Sequence, residues 1–118
     1  MPRVKNRNYS TYTKEACRLL GLLVRNGRKE KRMSVEELAE RAGTSPSFVR
    51  RLEQGGLKGE MGVAFEVAFI AGVHLFSPDT GTHRAQAAME KELQHASKMA
   101  TLLPKSVRKP KEEVKDDF

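Results

Sequence analysis

The sequence predicts an all-α protein: a compact bundle of four to five helices, followed by a C-terminal helix and a charged tail. Three observations lead there. From Ala16 onward apolar residues recur at helical rather than alternating spacing. Short segments carry helix start and stop signals in register with those apolar faces. Aromatic residues make up only 6% of the 118 residues and Trp is absent, too few for a large β-sandwich with an aromatic core.

The elements follow in order. Residues 1–12 (MPRVKNRNYSTY) are polar and basic without helical period, and read as an N-terminal arm. Thr13 is the expected N-cap of a first helix. Its face is Ala16, Leu19, Leu20, Leu23 and Val24, and it should run to about Lys31. Arg25, Arg28, Lys29, Lys31 and Arg32 gather at its C-terminal end, where cations complement the helix dipole.

Ser34-Val35-Glu36-Glu37 reads as a capping box, with Met33 and Leu38 at the staple positions. Gly43 stands where a left-handed residue should end this short helix. Ser45 caps the next helix and Pro46 occupies its first turn, where a missing N–H costs nothing. Residues 55–60 form a loop. Residues 61–73 (MGVAFEVAFIAGV) are apolar almost all round, the mark of a helix buried on several sides. Residues 82–103 form a further helix with a seam of Met89, Leu93, Ala96, Ala100 and Leu103. That seam either packs back on its own domain or meets a second chain, and the apolar run 73–76 is another dimer candidate. The tail 104–118 is charged and poor in apolar residues. The domain layout is thus an arm (1–12), a bundle (13–77), a C-terminal helix (78–103) and a tail (104–118).

Net charge is +7. Residues 1–33 alone hold ten Lys/Arg and two Glu, a net +8, so the excess is concentrated in the N-terminal third. Such a patch suits a polyanion, with nucleic acid first. No apolar run approaches the ~18 residues of a membrane span, and mixed charges on residues 82–103 argue against a membrane surface. The one cysteine, Cys17, allows no internal disulfide, which fits a reducing, cytoplasmic location. His74, His83 and His95 lack metal-ligand spacing. No nucleophile elbow or phosphate loop is present. No metal, cofactor, catalytic residue or enzyme activity is expected.

Residues 34–42 and 45–54 therefore form two short helices joined by a tight turn at Gly43. This is the helix-turn-helix arrangement, whose second helix enters the DNA major groove. The run MSVEELAERAGTS (33–45) followed by FVRRLEQG (48–55) resembles the XRE family of Cro-type phage repressors. The resemblance extends to about Val73, roughly half the chain. It implies a sequence-specific repressor, usually a homodimer on a palindromic operator in double-stranded DNA.

Residue by residue, the resemblance implies that Ser45 caps the recognition helix and touches phosphate. Pro46 and Ser47 first meet base edges. Arg50 and Arg51 lie on the exposed side one turn later, and Arg51 is the strongest candidate for a guanine contact. Gln54 and the Gly55 amide would lie near the DNA backbone, while Glu53 is structural. Arg28, Lys29 and Arg32, at the basic end of the first helix, would add phosphate contacts. Two departures stand out. Val35 replaces a Gln that commonly contacts phosphate, and Pro46 replaces a longer polar base reader. For the arm (Arg3, Lys5, Arg7), backbone or minor-groove contact stands beside a plain solvated tail.

A narrower resemblance spans the chain. The opening VKNRNYSTYTKEACRLLGLLVRNGRKEKRMS, the LFSPD run and the tail LLPKSVRKP…DDF resemble HipB-like antitoxins encoded beside HipA-type kinase toxins. That likeness implies an autoregulating repressor that also neutralises a HipA-like toxin kinase. The alternative is a protein-interaction module that keeps the fold without reading DNA.

Overall fold

The computed structural model describes residues 8–76 and 82–106. Among these residues there are five helices and no strand: α1 (Thr11–Glu30), α2 (Val35–Ala42), α3 (Pro46–Glu53), α4 (Met61–Ile70) and α5 (Thr82–Leu102). The all-α expectation holds.

Local chemistry sets the helix ends. The α1 helix begins earlier than expected, because Ser10 rather than Thr13 is its cap: the Ser10 hydroxyl accepts from the Thr13 amide at 3.1 Å. Ser34 caps α2 through the Glu37 amide (3.0 Å) and Ser45 caps α3 through the Phe48 amide (3.1 Å), as the sequence predicts. The reciprocal half of the capping box is not made. Glu37 turns its carboxylate to Arg41 one turn on (2.8 Å), where an opposite charge is in reach.

The C-terminal ends of α1 and α2 share one device. After α2 the Thr44 amide reaches back to the Ala39 carbonyl (2.9 Å) over Gly43, whose φ is +73°. After α1 the Met33 amide reaches the Arg28 carbonyl (3.0 Å) over Arg32, whose φ is +58°. Both are Schellman closures. Arg32 is the one non-glycine residue at positive φ among the described residues, and an L side chain there costs roughly 1–2 kcal/mol.

The core joins α1 to α4. Val24, Leu38, Val49 and Val67 are its largest fully buried side chains, each worth about 1.5–3 kcal/mol of burial. Met33, Ala39, Leu52, Ala68 and Ala71 complete it. The small Ala39 lets α2 and α3 cross closely. Gly21 lets α1 settle directly on the end of α3, where a Cβ would collide with the Leu52 carbonyl oxygen.

Two expectations change. The α4 helix is not covered all round: Val67 and Ala68 are buried, but Met61, Phe65 and Phe69 are exposed. Its apolar character therefore exceeds what its own core needs. The α5 helix meets the bundle mainly at its start, where Ala85 is buried, and residues 89–106 are exposed. A groove of about 380 Å³ lies between α4 and the start of α5, lined by Phe65, Phe69, Leu75, Phe76 and Met89 among others.

Candidate nucleic-acid interface

Helix α3 presents the candidate surface. Val49 and Leu52 bury one side of it, while Ser47, Arg50, Arg51 and Gln54 are exposed on the other. Ser45 is exposed at its start and Pro46 is half-buried. Successive residues on a helix are about 100° apart, so Arg50 and Arg51 leave the exposed face on different flanks. Arg50 lies toward α1 and α2, where its guanidinium pairs with Glu36 at 2.7 Å. Arg51 takes the opposite flank and forms no ion pair or side-chain hydrogen bond with any described residue. It is the arginine left free to reach outward.

The expected phosphate residues divide. Lys29 and Arg32 are exposed at the end of α1. Ser45 retains hydroxyl donor capacity while its oxygen caps α3. The Gly55 amide, by contrast, donates to the Leu52 carbonyl (3.0 Å) in the closing turn of α3. Gly55 thus shapes the turn and offers no free N–H.

Arg28 has an internal task. Its Nε donates to Glu53 Oε2 at 2.6 Å, one terminal nitrogen to Glu53 Oε1 at 3.0 Å, and the other to the Met33 carbonyl at 2.9 Å. The two side chains are only 11% and 8% exposed. The Glu53 hydrogen bonds raise the Arg28 pKa above its already high ordinary value; burial opposes this, and the charges of Glu53 and Glu36 add to it. A planar fork on a carboxylate is a strong, directional pair. It locks α1 to the end of α3, and it leaves Arg28 few donors for DNA. Glu53 is engaged internally with Arg28, the structural place that the resemblance implies for it.

Two residues escaped the sequence reading as parts of this surface. Arg25 and Glu36 sit beside the exposed edge of α3. Arg25 lines a cleft of about 260 Å³ with Arg28, Arg50, Glu53 and Gln54, and Glu36 holds Arg50. Arg25 was legible only as part of a basic helix end. Glu36 was hidden in the capping box, because nothing in linear spacing joins it to Arg50.

A helix-turn-helix family model matches residues 24–60. Residues 24–60 carry a helix-turn-helix. The match starts within α1, covers α2 and α3, and stops just before α4. This helix-turn-helix supports the XRE resemblance and a DNA-binding regulator; the match reaches neither the opening of the chain nor its tail. No curated protein and no solved structure matches the chain significantly. Among the described residues no helix is long and apolar enough to cross a membrane, and no cluster of His, Cys, Asp or Glu could hold a metal. Cys17 is a free thiol.

Proposed function

We propose that the chain is a sequence-specific transcriptional repressor that inserts α3 into the major groove. The observation that carries this reading is the short, exposed edge of α3, with an unpaired Arg51, held on a capped and closely packed α2–α3 turn. Ser47 and Arg51 read base edges, with Pro46 shaping the entry. Ser45, Gln54, Lys29 and Arg32 face phosphates.

The repressor acts as a homodimer on a palindromic operator. The exposed stripe on α5 and the groove beside α4 support this pairing, because both are apolar surface left open among the described residues. The chain's likeness to HipB-like antitoxins at its opening, LFSPD run and tail supports a further role: autoregulation in the cytoplasm together with binding of a HipA-type kinase toxin.

Arg51→Ala tests the readout. On a duplex selected from a randomised pool by the wild-type protein, the substitution should cost about 1–3 kcal/mol and relax preference at one base pair per half-site. Unchanged affinity and preference would remove Arg51 from the groove.

A further inference from the structure

We propose that the cleft between α1 and α3 clamps one backbone phosphate of the DNA duplex. Arg25, Arg50 and Gln54 form the clamp, and Glu36 is the internal counterion that the phosphate displaces. The inference rests on the DNA-binding reading above and names a site within it.

The floor of the cleft is already neutral. Arg28 and Glu53 face each other in a two-point pair, nearly buried, and the pair fixes the relative position of α1 and α3. The rim is not neutral. Arg25 projects from α1 and pairs with no described residue. Arg50 projects from α3, and its partner Glu36 stands at the start of α2. Gln54 lines the same cleft and adds an amide to it. Two guanidiniums and an amide thus converge on one opening of about 260 Å³, several times the ~30 Å³ of a water molecule. Guanidinium groups suit the tetrahedral, multiply accepting oxygens of a phosphate.

The Arg50–Glu36 pair is open to solvent, with side chains 51% and 63% exposed. An exposed pair of this kind is weakly held and competes poorly with the two charge-sharing oxygens of a monoanionic phosphodiester. In the free protein Glu36 holds the Arg50 guanidinium at 2.7 Å. On DNA the phosphate takes Arg50, and the Glu36 carboxylate returns to water. Arg50 is thereby assigned to the backbone, leaving base edges to Arg51 and Ser47. The sequence alone placed both arginines on the base-reading side.

The test uses the full chain and two duplexes, one selected from a randomised pool on the wild type and the other its scrambled counterpart. Fluorescence anisotropy is read across a salt series. Arg25→Ala and Arg50→Ala should each weaken both duplexes by the same factor, and each should lower the salt slope by about one. Arg50→Lys should keep most of that slope, since a point charge still meets a phosphate. Glu36→Gln should tighten binding to both duplexes, and this gain should vanish in the Arg50→Ala background. All three residues are exposed, so unchanged thermal melting controls for folding. The clamp is overturned if Arg50→Ala weakens only the selected duplex, or if the Glu36→Gln gain survives without Arg50. Failure of the wild type to bind either duplex would instead overturn the DNA-binding reading itself.

Discussion

Leu38 on α2 is fully buried, whereas Leu93 on α5 is 64% exposed, although each lies on a regular apolar face of its helix. The first four helices bury a shared core, although Leu19 and Leu23 on the predicted face of α1, and Phe65 and Phe69 on α4, stay exposed; the serine caps and the Arg28–Glu53 fork hold the helix ends in place. The fifth continues the apolar pattern, and among the described residues its side chains from 89 to 102 are exposed. Helical period reports that a face is apolar, but it does not say which surface buries it. The four-helix core is closed around Val24, Leu38, Val49 and Val67, and α5 offers its stripe outward.

The largest effect should come from the fork. Glu53→Gln leaves the Arg28 guanidinium in a nearly buried site without its countercharge, and breaking such a pair costs about 3–5 kcal/mol. Urea denaturation followed by circular dichroism should show that loss. A change under about 1 kcal/mol would mean that water compensates the pair and that it does not lock α1 to α3.

The comparison itself is sharpened by one substitution made twice. Leu38→Ala should cost about 2–5 kcal/mol, because it empties a packed site. Leu93→Ala should stay within about 0.5 kcal/mol in dilute protein. A larger loss at Leu93 that grows with protein concentration would be the signature of a second copy on α5. Sedimentation of the same two variants separates these outcomes. A large, concentration-independent loss at Leu93 would break the division into two regions.

The smallest effect concerns the left-handed turn after α1. Arg32→Gly should raise stability by up to about 1 kcal/mol, because relief of the ~1–2 kcal/mol clash is partly offset by the greater freedom of glycine in the unfolded chain, about 0.4–1 kcal/mol. The thermal midpoint reads the gain. The same change should weaken DNA binding if Arg32 meets phosphate, so the position balances backbone strain against charge. A lower midpoint would show that the Arg32 side chain contributes more to the fold than its backbone costs.

Much of the bundle could be read from the sequence, because its signals are local. Ser34, Gly43, Ser45 and Pro46 act on backbone groups within a few residues of themselves, so spacing alone positions α2 and α3. The α1 start was misplaced by the same logic, since Ser10 and Thr13 are both good caps and only the fold selects between them. The candidate site was less legible because its decisive contacts are long-range. The Arg28–Glu53 fork joins residues 25 apart, and the Arg50–Glu36 pair joins residues 14 apart. A cluster of basic residues at a helix end gives no sign that one of them is spent on an internal carboxylate. In the same way, the apolar run 61–73 could not show that Phe65 and Phe69 face outward.

The most direct test of the central proposal, that this bundle reads DNA sequence through α3, is the affinity of the wild-type chain for the selected duplex against its scrambled counterpart at two salt concentrations. A ratio of about 10³ or more, retained as salt rises, is the expected result. Equal affinities that fall together steeply with salt would contradict it and leave only a basic surface on phosphate.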